Sequence, residues 1–236
     1  MNRKLTAILL ITAAISTNAA FTVLGTIFDY PDILKQPVDE ILTAFRASQG
    51  AVTAWFSVMA LSAALFAPIA IGVGRLSARP AMRAAVPVGI AAAAVQVVGL
   101  MRWPLLVPGY AADATSTDPH VADAARDAFT TAHHLLGNVV GETLGYSFTA
   151  AWTLLVVAAV GRRIAGRWFS AVGVTSAVLI FAGVLSPLDL PVIDMANFAG
   201  YVLWSGWLVA FAVIIVREPA AAHRTAPAPT LSDVRN

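Results

Sequence analysis

Six uninterrupted apolar stretches dominate this chain of 236 residues and restrict its possible folds more than any other feature. A helix needs about 20 apolar residues to cross the hydrocarbon core of a bilayer, whereas a strand of a transmembrane barrel has about 10 residues of alternating character. The stretches are continuous, so the sequence predicts an all-α, polytopic transmembrane bundle of six spans. Their approximate bounds are 5–28, 51–74, 84–106, 135–160, 168–185 and 195–216.

The composition agrees with a membrane protein and excludes several other classes. Hydrophobic residues make up 58% of the chain and charged residues 12%, against roughly 45–50% and 25% in soluble domains. The absence of cysteine excludes disulfide frameworks, thiolate metal sites and thiol nucleophiles. The net charge of +2 is too small to indicate a nucleic-acid partner. The predicted partner is therefore the lipid bilayer, together with a small-molecule ligand.

The placement of Lys and Arg predicts how the spans are oriented. Eleven of the 15 cationic residues fall at one side of the predicted bundle: Arg3, Lys4, Arg75, Arg79, Arg83, Arg162, Arg163, Arg167, Arg217, Arg224 and Arg235. Cationic loops are retained in the cytoplasm, which predicts that both termini are cytoplasmic. Only two of the 15 cations are lysines, and abundant Ala and Arg indicate a GC-rich bacterial genome. The predicted location is the bacterial plasma membrane.

The chain is predicted to form one six-helix transmembrane domain, residues 1–216, followed by a disordered cytoplasmic tail, residues 217–236. The tail is rich in Pro, Ala, Thr and Ser and cannot bury a core. The two long loops are both predicted to lie outside and to carry amphipathic helices. In the first, Pro37 begins a helix whose apolar side is Val38, Ile41, Leu42 and Phe45.

The second long loop, between the third and fourth spans, has its own helix signals. Thr117 or Asp118 can cap a helix that has Pro119 at its first position. Its predicted apolar side is Val121, Ala125, Ala128 and Phe129. No break separates this helix from the fourth span, which predicts either one long helix or a lid helix with a kink at Gly137. Both loop helices either cover the bundle surface or cap an outward-facing pocket.

Polar residues on one face of the fourth span are the main functional candidates. At about 100° per residue, one face carries His134, Asn138, Gly141, Glu142, Gly145 and Thr149. A carboxylate within a membrane is costly and is a functional candidate by default. The glycines at four-residue spacing also predict a close approach to a neighbouring helix. Glu142 is therefore either paired inside a tight helix contact or part of a ligand, proton or metal site.

Arg102 is the natural partner for Glu142. Counted from Tyr110 and from His134, the two charges lie at the same depth, about 12 Å along their helices, which permits an ion pair. The alternative is that Pro104 ends the third span early and Arg102 reaches the lipid headgroups. Tyr146 and Tyr201 each follow a glycine, and the sequence favours ordinary packing for both over hydroxyl groups that face a shared outer cavity.

No strong metal or cofactor motif is present, so the sequence predicts no cofactor. His133 and His134 are adjacent and diverge on a helix, and no HExxH or His pair at i, i+4 occurs. His134 and Glu142 are too far apart in one helix to share a metal ion without ligands from elsewhere. A nucleophilic serine with its base, a P-loop and a dinucleotide fingerprint are also missing.

Three motifs give the chain a family resemblance. They are Phe28-Asp29-Tyr30-Pro31 with Ile33-Leu34, then Arg102-Trp103-Pro104, then His134 through Gly141-Glu142 and Leu144-Gly145-Tyr146 to Trp152. With them, the chain resembles an uncharacterised bacterial family of six-span membrane proteins, a domain of unknown function, over about residues 5–216. The resemblance implies a polytopic membrane protein and no reaction. It groups Arg102, His134, Glu142 and Tyr146 as one site in the outer half.

Three functions are consistent with the sequence. The first is binding or transport of a small, lipophilic or cationic molecule in an outward-facing pocket, with Glu142 as its charge. The second is an accessory membrane protein without a ligand, whose polar groups hold helices together. The third is a membrane-embedded enzyme or cofactor binder that uses His134 and Glu142. The ligand-site prediction comprises Glu142, Arg102, His134, Asn138 and Tyr146.

Overall fold

A computed structural model describes residues 2–164, 166–188 and 190–217, and these ranges contain helices and no strands. The α-helices are α1 (Arg3–Phe28), α2 (Val38–Ala47), α3 (Gln49–Ala64), α4 (Phe66–Gly74), α5 (Pro80–Leu105), α6 (Val107–Asp113), α7 (Pro119–Ala132), α8 (Gly145–Ile164), α9 (Gly166–Ala182) and α10 (Pro191–Arg217). A π-helix, His133–Leu144, joins α7 to α8, and 3₁₀-helices cover Asp32–Lys35 and Gly183–Leu188. Apart from Arg217, the predicted tail lies outside the described residues.

Six helical segments are long and apolar enough to cross a membrane, which confirms the predicted all-α bundle. They are Arg3–Phe28, Gln49–Gly74, Pro80–Asp113, Pro119–Gly161, Gly166–Leu188 and Pro191–Arg217. Each span packs against the next in chain order, and α10 packs against α1. The spans therefore form a closed ring whose order is that of the sequence.

Prolines explain where two of the spans change direction. Pro68 has no N–H to donate to the carbonyl of Ala64, and α3 ends at Ala64. The span resumes at once as α4, which contains Pro68. Pro108, at the start of α6, stands in the same relation to Pro104, and α5 gives way to α6 between them, at Leu106. By contrast, Pro87 lies inside an uninterrupted α5.

The two predicted loop helices exist and lie together over one end of the bundle. Helix α2 buries Ile41, Leu42 and Phe45, as predicted. Helix α7 is capped by Asp118, whose side chain accepts a hydrogen bond from the N–H of His120 at 2.9 Å. We call the half of the bundle beneath α2 and α7 the capped half, and the other half the basic half.

One detail of α7 was wrong in the sequence analysis. Val121 is 42% exposed, and Ala122 takes its place among the buried residues, beside Ala125 and Phe129. The reason is that α7 uses the face turned toward α2. Arg126 forms an ion pair with Asp39 of α2 at 2.7 Å and with Asp123 at 3.1 Å.

Two separate apolar cores fill the ring. The core of the basic half contains Trp152, Trp207, Phe169 and Phe211, all at most 1% exposed. The core of the capped half is built around Trp103, whose ring is 4.8 Å from that of Phe56 and 5.1 Å from that of Phe28. The loop helices contribute further residues to this second core: Ile41, Leu42, Phe45, Ala125 and Phe129.

Candidate functional site

Arg102 lies inside the capped half and is only 7% exposed. Its Nη1 donates a hydrogen bond of 2.6 Å to the carbonyl of Gly99. Its guanidinium carbon lies 5.4 Å from the centre of the Trp103 ring. A Cβ on Gly137 would lie 2.8 Å from Nη2 of Arg102, so the absence of a side chain at Gly137 makes room for the guanidinium. The arginine therefore points into the bundle and does not reach outward to headgroups.

The π-helix changes which residues of the fourth span face inward. An α-helix turns 100° per residue, but residues 133–144 form i→i+5 hydrogen bonds and turn less per residue. As a result His134 is exposed, while His133 is partly buried and stacks on Phe129 at 5.7 Å. Asn138, the next member of the predicted face, is partly buried. The structure therefore does not bring His134 together with the buried charges.

The predicted close approach between helices is present where the π-helix crosses α5. A Cβ on Gly99 would lie 2.6 Å from Cα of Gly141 and 2.9 Å from the carbonyl oxygen of Leu136. One turn further, a Cβ on Gly145 would lie 3.1 Å from Cγ of Gln96. Only glycine permits backbones to approach this closely. This contact fixes Glu142, next to Gly141, against the helix that carries Arg102.

Glu142 is the centre of the polar groups in the capped half. It is partly buried and lies within electrostatic reach of Arg102, Tyr146 and Tyr201. Within the part of the chain that the structure describes, its carboxylate makes no hydrogen bond and no ion pair, and Arg102 bonds to Gly99 rather than to Glu142. A charged group in a membrane interior ordinarily has a partner. Glu142 is an exception to this rule among the described residues.

Three tyrosines surround Glu142. The rings of Tyr146 and Tyr201 pack edge to face with their centres 5.9 Å apart. Tyr30 follows α1 and packs edge-on against Phe56 at 5.3 Å. Burial, and to a smaller extent the charge of Glu142, raises the pKa of Tyr30 to about 12 against the opposing effect of Arg102. At neutral pH its hydroxyl is therefore protonated and can donate a hydrogen bond. We call Tyr30, Arg102, Glu142, Tyr146 and Tyr201 the Glu142 cluster.

The path of the chain after α1 explains how Tyr30 enters this cluster. Asp29 ends α1 in the left-handed region, at φ 52°, and its N–H bonds to the carbonyl of Leu24. Aspartate tolerates this conformation better than most residues. The N–H of Tyr30 bonds to the same carbonyl at 3.3 Å, which turns the chain back over the end of α1. The tyrosine ring is thereby placed beside the bundle axis.

Two buried nitrogen atoms near Arg102 have no hydrogen-bond partner: Nε1 of Trp103 and Nδ1 of His133. The ring of Phe129 lies between these two residues: its centre is 6.3 Å from that of Trp103, and it stacks on His133. Among the described residues, no group of three or more His, Asp or Glu side chains is placed to hold a metal ion. The arrangement offers hydrogen-bond donors on one side and a carboxylate on the other.

A second polar link closes the opposite side of the capped half. Lys35, in the 3₁₀-helix after α1, forms an ion pair of 2.6 Å with Asp194 in the first turn of α10. Asp194 also accepts a hydrogen bond of 3.0 Å from Ser186. Asp194 lies within electrostatic reach of Glu142, so this link borders the Glu142 cluster.

The ring of six apolar spans with buried charges in one half defines a multi-pass helical-bundle membrane protein. More specifically, the chain belongs to the DUF4386 family, a domain of unknown function whose sequence profile matches residues 5–212. The match covers all six spans, which confirms the family resemblance found in the sequence. Neither the curated proteins nor the solved structures provide a match to the chain.

Sequence reasoning missed three members of this region as site candidates: Tyr30, Trp103 and His133. Two of them were visible in the family motifs, Tyr30 beside Asp29 and Trp103 beside Arg102. His133 had no signal, because its inward orientation depends on the π-helix. The region therefore combines the predicted Arg102, Glu142 and Tyr146 with these three residues and Tyr201.

Proposed function

We propose that this protein binds a small lipophilic cation in the capped half of its bundle and that Glu142 supplies the opposite charge. The observation that carries the proposal is the carboxylate of Glu142, which has no protein partner among the described residues. Leaving a carboxylate unpaired in a membrane interior costs at least about 2.5 kcal/mol. A cationic ligand offsets that cost when it binds.

The aromatic surroundings of Glu142 support a cation that also carries an apolar body. Tyr146 and Tyr201 stand edge to face, and Tyr201 stands at 6.2 Å from Trp204. Aromatic faces attract organic cations, and the effect is larger away from water. Binding at this place is the step that both a receptor and a transporter require, and the proposal covers either role.

The distribution of charge supports an outward-facing capped half. The ends of the spans opposite α2 and α7 carry Arg3, Arg75, Arg79, Arg83, Arg167 and Arg217. Retention of such residues in the cytoplasm would put the capped half outside and both termini inside. The arginine-rich composition supports the bacterial plasma membrane as the location. A ligand would then enter from outside, beneath the cap.

The two alternatives receive less support. An accessory protein held together by its polar groups would pair Glu142 with Arg102, but Arg102 bonds to the Gly99 carbonyl. An enzyme or cofactor binder based on His134 and Glu142 would need both side chains at one place, and His134 is exposed. The tight contact of Gly99 and Gly141 is compatible with all three functions.

Ligand binding is tested with phenethylamine, a small aromatic amine that is cationic at neutral pH. We expect it to raise the thermal unfolding temperature of the detergent-solubilised full chain as its concentration increases, because it binds only the folded state. Glu142→Gln should weaken binding about tenfold or more, the loss that corresponds to about 1.4 kcal/mol or more. Equal binding by wild type and Glu142→Gln would refute the proposal.

Glu40→Gln is the matched control for this experiment. It removes the same charge by the same change of atoms, but Glu40 is exposed on α2, far from the bundle axis. The control should bind phenethylamine as the wild type does. If Glu40→Gln and Glu142→Gln lose binding equally, the effect belongs to the total charge of the protein and not to the Glu142 cluster.

A further inference from the structure

Arg102 has more hydrogen-bonding capacity than the protein uses. A guanidinium group has five N–H donors in a planar fork, and the hydrogen bond that the described residues provide is the one from Nη1 to the carbonyl of Gly99. The residue is only 7% exposed, so little water reaches the remaining donors. The unused part of the fork suits a carboxylate, which accepts two parallel N–H bonds.

Trp103 and His133 add two more unused polar atoms next to this fork. Nε1 of Trp103 is an obligatory donor, and Nδ1 of His133 donates in one tautomer. Both atoms are buried without a partner, and buried polar groups are rarely left so. Acceptor atoms of a ligand, which the described residues do not supply, would satisfy these nitrogen atoms.

An unpartnered indole alone would not make a site, as Trp152 shows. Its Nε1 is equally buried and unpartnered, but its ring lies among Phe66, Trp204 and Trp207 in the basic half. What distinguishes Trp103 is the guanidinium 5.4 Å from its ring centre and the second unpartnered nitrogen, on His133.

We infer that Arg102, Trp103 and His133 form a carboxylate subsite and that the ligand of the capped half is therefore a zwitterion, with its ammonium group at Glu142. This inference rests on the proposed function. Arg102 and Glu142 are close enough to interact but do not pair directly. A molecule carrying both charges would bridge them, and each protein charge would gain its missing partner.

The test uses three probes that share one aromatic body: phenylalanine, phenethylamine and 3-phenylpropionate. They carry both charges, the ammonium group alone and the carboxylate alone. Dissociation constants are measured on the purified full chain in detergent. We expect phenylalanine to bind at least about tenfold more tightly than phenethylamine, because it uses both parts of the site. Equal affinities for these two probes would overturn the inference while leaving the proposed function intact.

Trp103→Phe isolates the subsite, because it removes the N–H and keeps an aromatic ring against Phe56. It should weaken phenylalanine binding at least threefold more than it weakens phenethylamine binding. Trp152→Phe is the matched control, since it removes an equally unpartnered indole from the basic half and should alter neither affinity. An unchanged phenylalanine affinity in Trp103→Phe would contradict the subsite.

His133→Phe gives a second variant in case Trp103→Phe does not fold. It keeps the ring that stacks on Phe129 and should have the same selective effect. 3-Phenylpropionate reports on the subsite even if the role of Glu142 is wrong. Binding of this probe that weakens in Trp103→Phe or His133→Phe supports the subsite, and no binding overturns it. Failure of Glu142-dependent phenethylamine binding would overturn the proposed function instead.

Discussion

The two halves of the bundle differ in the hydrogen bonding of their stacked tryptophans. In the basic half, Trp207 and Phe169 stack at 4.8 Å, and the indole N–H of Trp207 donates to the carbonyl of Phe169 at 3.0 Å. In the capped half, Trp103 and Phe56 stack equally closely, but the indole N–H has no partner and an arginine lies beside the ring. Similar packing thus surrounds a hydrogen-bonded indole, Trp207, in the basic half and an unpartnered indole beside a buried guanidinium in the capped half.

The backbone also differs between the two halves. The π-helix, both 3₁₀-helices and the left-handed Asp29 lie toward the capped half, whereas the basic half has the break between α3 and α4 and the positive φ of Gly166. π-helical segments inside α-helices occur frequently at functional sites. The π-helix and the unpartnered nitrogen atoms of Trp103 and His133 therefore lie in the same half of the bundle.

Removing a large side chain from the basic half should give the largest loss of stability. Phe211→Ala removes a fully buried ring that contacts Phe169 and Trp207. We expect a loss of about 3–5 kcal/mol, measured by denaturant unfolding in detergent. Phe181→Ala, at a site that is 53% exposed, is the control and should cost much less. Equal losses would show that the basic half does not have the packed core described above.

The glycine contact of the capped half should be the next most sensitive position. Gly99→Ala places a Cβ against the backbone of Gly141, which cannot move as a side chain can. We expect a loss of about 1–3 kcal/mol and weaker phenethylamine binding, since Glu142 follows Gly141. Gly109→Ala adds the same methyl group where no atom lies within 4 Å, so it should be neutral. Wild-type stability in Gly99→Ala would mean that the two backbones do not touch.

The smallest expected effect is the coupling between Arg102 and Glu142. Since they interact electrostatically but form no direct ion pair, the double variant should depart from the sum of the losses of Arg102→Leu and Glu142→Leu by no more than about 1 kcal/mol. Unfolding free energies of the wild type, the two single variants and the double variant measure this coupling. A double variant that is markedly more stable than the sum predicts would show a direct ion pair and favour a structural role.

Much of this architecture was predictable because each feature has a local cause. Continuous apolar runs specify the spans, and Pro37 and Asp118 with Pro119 specify the starts of the loop helices. The glycine contact also followed from spacing alone, since Gly141 and Gly145 remain on the α5 side in the structure. These features depend on residues that are near one another in sequence.

The site was predicted only in part because its geometry depends on distant contacts. Arg102, Glu142 and Tyr146 were identified by type and depth, but the switch from His134 to His133 follows from a π-helix that no local motif specifies. The turn at Asp29 brings Tyr30 into the cluster. The position of Tyr30 therefore depends on how α1 packs in the bundle. Helical periodicity alone could not supply either result.

The ring order of the spans has a consequence for how the protein is assembled during synthesis. Each new span finds its packing partner already inserted, because neighbours in the ring are neighbours in the chain. The contact between α10 and α1 is the exception: it joins the last span to the first, and Asn18 bonds to Ser205 across it at 2.9 Å. In a nascent chain, the face of α1 that contacts α10 therefore stays unpacked until α10 is inserted. During that interval the amide of Asn18 is available to other membrane helices, and chaperoning of this face would be most valuable then.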